Sequence, residues 1–260
     1  MRGMMNRKLR KHGRAQPLDR IHARMRRRMR AAVAVCGLAL GAVSPLHAQV
    51  LRKASADMRA GSQAIESRWR ESLEGFAASD RDRVPAPGGV VFVGSSSIRL
   101  WNDLEREFGA MTVIKRGFGG SRLSDCARYV AHLVLPYKPR TVVVYAGDND
   151  LAEGQTANGV LASYSEFVER VREALPETRI VYISIKPSPS RAALMPVAIQ
   201  ANELIEAYSK TRPGLGYVDV FTKMIDDKGR PRAELFQPDA LHLNAAGYAL
   251  WKAAVAEHLR

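Results

Sequence analysis

Five short runs of β-forming residues recur between residues 90 and 220, with helical spacing between them. They are Val90–Val93, Met111–Lys115, Thr141–Tyr145, Arg179–Ile185 and Tyr217–Val220. The run TVVVY at 141–145 is the clearest, because β-branched residues fill it. Short continuous apolar runs of this kind suit strands covered on both faces. Ile98, Trp101, Leu104 and Phe108 recur at helical intervals, and Leu123–Leu135, Val160–Leu175 and Leu194–Lys210 read as helices. Asn244 is a good N-cap for a last helix over Ala245–Leu259. Right-handed crossovers between parallel strands then give an α/β fold, doubly wound, with three layers α/β/α around a central five-stranded parallel sheet.

In such a fold, ligands bind beyond the carboxyl ends of the strands. The loops expected there are polar or rich in glycine. The first run ends in Gly94-Ser95-Ser96-Ser97, the second in Arg116-Gly117-Phe118-Gly119-Gly120-Ser121 and the third in Gly147-Asp148-Asn149-Asp150. Gln237-Pro238-Asp239-Ala240-Leu241-His242 follows the last. A serine hydroxyl becomes a nucleophile when a histidine takes its proton, and the histidine needs an acceptor on its other ring nitrogen. Asp239 precedes His242 by three residues, close enough for a short loop to join them. A backbone N–H at the Ser96 corner, another at Gly120 and the Asn149 amide could together meet an oxyanion. Each feature alone has an ordinary reading: helix cap, tight turn, structural histidine. Spacing does not separate Ser96 from its neighbours Ser95 and Ser97.

Taken in order, these blocks resemble the SGNH/GDSL hydrolases, the GDSL-type esterases and lipases. Gly94-Ser95-Ser96 stands where the family has Gly-Asp-Ser, and Gly120 in GFGGS stands for the glycine of the second block. Gly147-Asp148-Asn149-Asp150 matches Gly-x-Asn-Asp, and Asp239 to His242 matches Asp-x-x-His. The resemblance implies a flavodoxin-like fold, with Ser96 as nucleophile, His242 as base and Asp239 as its partner. It implies Ser96 N–H, Gly120 N–H and the Asn149 side chain as the oxyanion hole. No metal and no organic cofactor is implied. Ser95 in place of the usual acid is the one departure; that position is not a triad member. Arg116 and Arg122 flank the second block, with solvated surface as the ordinary reading and substrate contact as the alternative; Arg122 and Arg191, the latter in the loop IKPSPSR (185–191), are the candidate substrate contacts. Cys126 reads as a small buried hydrophobe.

The formal charge of +14 looks at first like a nucleic-acid signature. Twelve of the 40 Lys/Arg and one of the 26 acids fall within residues 1–48, which leaves 28 basic against 25 acidic residues in 49–260. The excess therefore belongs to the N-terminus. There a basic block is followed by the apolar run 31–43, the Ser44-Pro45 break and the small residue Ala48, the order of a secretory signal peptide. The run is too short for a spanning helix. Translation from Met25 or Met29 would give a leader of more usual length. Three segments follow: 1–48 as basic region and signal peptide, 49–88 as an N-terminal helix (about Ala54 to Phe76, with Met58, Ile65, Trp69 and Leu73 facing the core) and charged linker, and 89–260 as the hydrolase domain. Only Cys126 would remain after cleavage, so no internal disulfide forms.

The expected protein is thus a periplasmic or secreted serine esterase. Its partner is a small-molecule or glycan ester, its acyl group short, and its membrane contact confined to the signal segment. Two other readings on the same fold are a lysophospholipase or thioesterase and a catalytically silent carbohydrate-binding protein. Nucleic-acid binding would require the basic segment to persist in the mature chain.

Overall fold

The computed structural model describes residues 67–82 and 85–259, together with Lys53. The chain divides into two units, Met1–Ala64 and Ile65–Arg260. The described fold belongs to the second. The basic block, the apolar run, Met58 and Ile65 lie outside the described residues.

The expected sheet forms. Its strands are β1 (Val90–Gly94), β2 (Val113–Gly117), β3 (Thr141–Tyr145), β4 (Arg179–Ile183) and β5 (Leu215–Val218), all parallel, in the order β2-β1-β3-β4-β5. The chain steps outward from β1 to β2, then crosses back over β1 to β3. This reversal leaves a crevice beside the carboxyl end of β1, where ligands bind in open α/β sheets.

Alternation along the strands divides the apolar residues between two cores. Val91, Val93, Val142, Val144, Ile180 and Tyr182 face one, under the helices Leu123–Arg128, Ala157–Ala174 and Met195–Lys210. Val90, Phe92, Val143, Tyr145, Val181 and Ile183 face the other, packed with Trp101, Phe108 and Trp251. Trp251 lies on the last helix, Ala245–Ala256. Helices on both faces complete the three layers.

Several boundaries differ from the sequence pattern for local reasons. The apolar spacing from Ile98 to Phe108 is carried by two four-residue helices, Ser96–Arg99 and Leu104–Glu107. The stretch 123–135 breaks at Tyr129 into Leu123–Arg128 and Val130–Leu133, then tightens to a 3₁₀ turn, Leu135–Tyr137, containing Pro136. A proline lacks the N–H that would continue an α-helix. The N-terminal helix is described over 67–82 and so runs past Phe76 through Asp80, where a linker was expected. Trp69, Leu73 and Phe76 form its apolar stripe against the first core. Its end is tied down by Asp80, whose carboxylate pairs with Arg116 and accepts the Tyr137 hydroxyl. Arg116 is consequently buried, not solvated. Its guanidinium also lies over the Phe76 and Tyr137 rings.

Candidate active site

The strand-to-helix corner after β1 is built by glycine and by sheet hydrogen bonds. Gly94 has φ +150°, and a Cβ there would stand 1.9 Å from the Tyr145 carbonyl oxygen of β3. Ser95 N–H donates to that same oxygen at 3.0 Å, and Phe118 N–H donates to the Gly94 carbonyl at 2.8 Å. The corner is thus clamped to β3 on one side and to the end of β2 on the other. Among its three serines, Ser95 and Ser97 are fully buried, and only Ser96 reaches the surface. Burial thus separates Ser96 from the neighbours that spacing did not distinguish.

Ser96 Oγ lies 3.1 Å from His242 Nε2. His242 Nδ1 lies 2.6 Å from Asp239 Oδ2. The other carboxylate oxygen, Asp239 Oδ1, accepts the N–H groups of Leu241 and His242, both at 2.9 Å. The His242 ring and these two N–H groups hold the Asp239 carboxyl down at about 2. It is ionised over any ordinary pH range, ready to accept a hydrogen bond from Nδ1–H. That leaves Nε2 as the acceptor facing the serine hydroxyl. The loop does not directly follow a strand: β5 ends at Val218, and Asp239 stands well beyond it. Ala240 adopts φ +56°, and the bridge Phe236–Leu243 closes the base of the turn. Asn244 then caps the last helix by accepting from Ala246 N and Gly247 N at 2.9 and 3.1 Å.

Gly120 and Asn149 face the same cleft as Ser96 and His242. The cleft is open and has a volume of about 730 Å³. Gly120 has φ +82°. Asn149 Nδ2 donates to the Ser121 carbonyl at 3.1 Å, which ties the third loop to the second. Asp150 makes a further tie, its two carboxylate oxygens 3.1 and 3.0 Å from Leu123 N. Burial pushes the Asp150 carboxyl up to about 6.

The two candidate arginines are otherwise engaged. Arg122 pairs with Asp125 and Glu153, both at 3.3 Å. Arg191 pairs with Asp148 at 3.3 Å and donates to Asn149 Oδ1 at 3.0 Å. Neither lines the cleft around Ser96. Residues that the sequence pattern did not place at the site stand there instead: Arg68, Trp69, Ser72 and Phe76 of helix 67–82, and Arg99. Arg68 donates to the Gly120 carbonyl at 3.3 Å and lies over Trp69, whose ring meets Phe118 edge-on at 5.0 Å. The helical spacing of this segment was legible; its place beside the second loop was not. A second open hollow of about 800 Å³ lies between Ser79, Asp80, Pro85 and Ala86 on one side and 105–116 on the other, where Asp80 and Arg116 are the paired charges. Among the described residues, no His/Cys/Asp/Glu cluster has the makings of a metal site, and no helix is long and apolar enough to cross a membrane. Cys126 is buried, which pushes its thiol pKa well up.

A 2-1-3-4-5 parallel sheet between helical layers, with a cleft of this kind at the end of β1, is the three-layer architecture of the GDSL hydrolases. The chain belongs to the GDSL-like lipase/acylhydrolase family, whose sequence profile matches residues 88–250. This is a family of acylhydrolases and esterases, and ester hydrolysis is the activity class that membership assigns. The chain is 28% identical over 189 residues to human platelet-activating factor acetylhydrolase IB subunit alpha1, covering 70% of this chain and 79% of that protein. In fold it is similar to a GDSL-like lipase from Bacteroides thetaiotaomicron, with a TM-score of 0.62, 20% identity and coverage of 72% and 96% of the two chains. A carbohydrate esterase family 3 protein from Talaromyces cellulolyticus superposes with a TM-score of 0.55 at 17% identity, over 66% of this chain and 96% of that one.

Proposed function

We propose that the protein is an exported serine esterase that removes short acyl groups, acetyl foremost, from esters of carbohydrates or small alcohols. The observation that carries this reading is the line Ser96 Oγ–His242 Nε2–Asp239, at 3.1 and 2.6 Å, in an open cleft at the end of β1. Ser96 Oγ attacks the ester carbonyl carbon while His242 Nε2 takes its proton. Asp239 holds the imidazolium and its tautomer. The carbonyl oxygen becomes an oxyanion that Ser96 N–H, Gly120 N–H and Asn149 Nδ2 stabilise, each such donor worth about 3–4 kcal/mol of barrier. Collapse expels the alkoxide, which receives the proton from His242, and leaves an acyl-Ser96 ester. His242 then draws a proton from water, the hydroxide attacks the acyl carbon, and Ser96 leaves with that proton as the free acid forms.

Support for a small acyl group comes from the human relative, which is an acetylhydrolase. That relative also favours a second reading, an acetyl or longer acyl group carried on a lipid. Export is supported by the basic, apolar and small-residue order of residues 1–48.

Fluorophosphonate labelling of the purified protein with peptide mapping tests the mechanism. Labelling at Ser96 is expected. Ser96→Ala should abolish it and lower kcat/KM on p-nitrophenyl acetate by about 10⁴-fold or more at an unchanged melting temperature. A folded protein that takes no label would end the esterase reading and leave the silent glycan-binding one. A panel of p-nitrophenyl acetate, octanoate and palmitate, with acetylated sugars and lysophospholipid, separates the substrate classes. Preference for the acetyl esters is expected; preference for palmitate or lysophospholipid would replace the short-acyl reading with the lipid one.

A further inference from the structure

Of the three groups assigned to the oxyanion, Asn149 is the one that must be aimed. A backbone N–H points where the chain directs it, whereas an amide can turn over and offer its oxygen instead. Two neighbours that cannot exchange roles bracket this amide. Arg191 Nη2 lies 3.0 Å from Asn149 Oδ1, and a guanidinium only donates. The Ser121 carbonyl lies 3.1 Å from Asn149 Nδ2, and a carbonyl only accepts. Turning the amide over would set N–H against N–H at Arg191 and oxygen against oxygen at Ser121. One Nδ2 hydrogen is spent on Ser121. The other belongs to a side chain in the cleft that holds Ser96.

The guanidinium is itself anchored. Asp148 Oδ2 pairs with Arg191 Nη1 at 3.3 Å and with Lys186 Nζ at 3.0 Å. The Lys186 side chain is fully buried and that of Asp148 is 5% exposed. Lys186 also donates to the Tyr145 hydroxyl at 3.2 Å, which fastens the group to the end of β3. Lysine is almost never fully buried without a partner, and a buried ion pair contributes little net stability because both charges lose water. Stability alone is therefore a poor reason for Lys186 and Asp148 to be there. Nor does either touch Ser96, His242 or Asp239 in the hydrogen-bond line.

We propose that Lys186, Asp148 and Arg191 form a positioning relay that locks the Asn149 amide with Nδ2 toward the reacting carbonyl oxygen. Arg191 is the positioning residue of this relay rather than a substrate contact. The inference rests on the reading of Asn149 as an oxyanion donor.

A double-mutant cycle on p-nitrophenyl acetate tests it, using Arg191→Ala, Asn149→Ala and the pair, with Ser96 labelling as an independent check that the nucleophile is intact. Asn149→Ala is expected to lower kcat by about 10²–10³-fold. Arg191→Ala should lower kcat by about 10-fold to 10²-fold with KM within about twofold, the cost of a misaimed donor. In the Asn149→Ala background, Arg191→Ala should cost nothing further. Added guanidinium ion should restore part of kcat to Arg191→Ala and none to the double variant. Arg191→Gln, which keeps a donor and most of the volume, should recover part of kcat and serves if the alanine variant fails to fold. A raised KM with unchanged kcat in the Arg191 variants would make Arg191 a substrate contact and overturn the relay. So would a full Arg191 penalty in the absence of the Asn149 amide. Unchanged kcat in Asn149→Ala would remove the oxyanion assignment beneath it, a failure distinguishable from the other two.

Discussion

The two halves of the site are built in opposite ways. The Ser96 corner lies at the end of a central strand, flanked by two fully buried serines and clamped to β2 and β3 by backbone hydrogen bonds. The Asp239–His242 loop stands beyond the last strand, with side chains 45% and 24% exposed. Its shape comes mainly from local features: the carboxylate bound to two N–H groups, a positive φ at Ala240 and the bridge Phe236–Leu243. One tie comes from afar, the Ser190 N–H and hydroxyl, which donate to the Ala240 carbonyl, both at 3.0 Å. Ser96 is therefore placed by the whole sheet, and His242 chiefly by the turn that carries it. Damage to the first half should appear as lost stability. Damage to the second should appear as lost activity in a protein that still folds.

Three substitutions test that contrast. Asp239→Asn has the largest expected effect. It removes the acceptor that sets the His242 tautomer and should lower kcat by about 10³–10⁴-fold. The melting temperature should move by no more than a few degrees, because the carboxylate is half exposed and its pairing is screened. A large drop in melting temperature would show that the loop supports the fold and would break the contrast. Gly94→Ala comes next. Its Cβ has no room against the Tyr145 carbonyl, and neither β1 nor β3 can withdraw without losing pairing. Chemical denaturation should report a loss of about 3 kcal/mol or more. Full stability with lost turnover would instead make the corner a local device like the other. Ala240→Gly is the smallest. It relieves a left-handed conformation that costs an alanine about 1 kcal/mol. Stability should rise by up to that amount in a thermal melt, with kcat unchanged. A clear fall in kcat would show that the strained residue aims His242.

How much of this was legible in the sequence differs residue by residue. TVVVY and the other apolar runs announced a buried parallel sheet, because a strand covered on both faces has no polar side to alternate. Asp239 and His242 were legible as a pair, since a three-residue separation suffices to close their hydrogen bond. Ser96 was singled out by the family resemblance but not by spacing: three like residues in a row differ only in the direction each side chain takes, and the turn at Gly94 decides that. Arg116, Arg122 and Arg191 all look like surface cations in a linear pattern. Arg122 has one near partner, Asp125, but Asp80, Glu153 and Asp148 lie far away in the chain, so those pairings are invisible until the loops come together. Lys186 was hidden for the same reason. It follows a strand in a Pro/Ser-rich loop, and nothing local reveals that Asp148 waits beneath it.

Local chemistry and periodicity thus determined the strands, most of the helices, the αβ layering and the four loops that could carry chemistry. Those are properties of short stretches, in which side-chain branching, apolar spacing and capping act over a few residues. Tertiary structure decided which serine is free, which arginines are bound, that helix 67–82 forms a wall of the cleft, and which way the Asn149 amide turns. Each of those outcomes depends on groups brought together from distant parts of the chain. Their energies are set by burial and by the geometry of approach, and neither exists before the sheet closes.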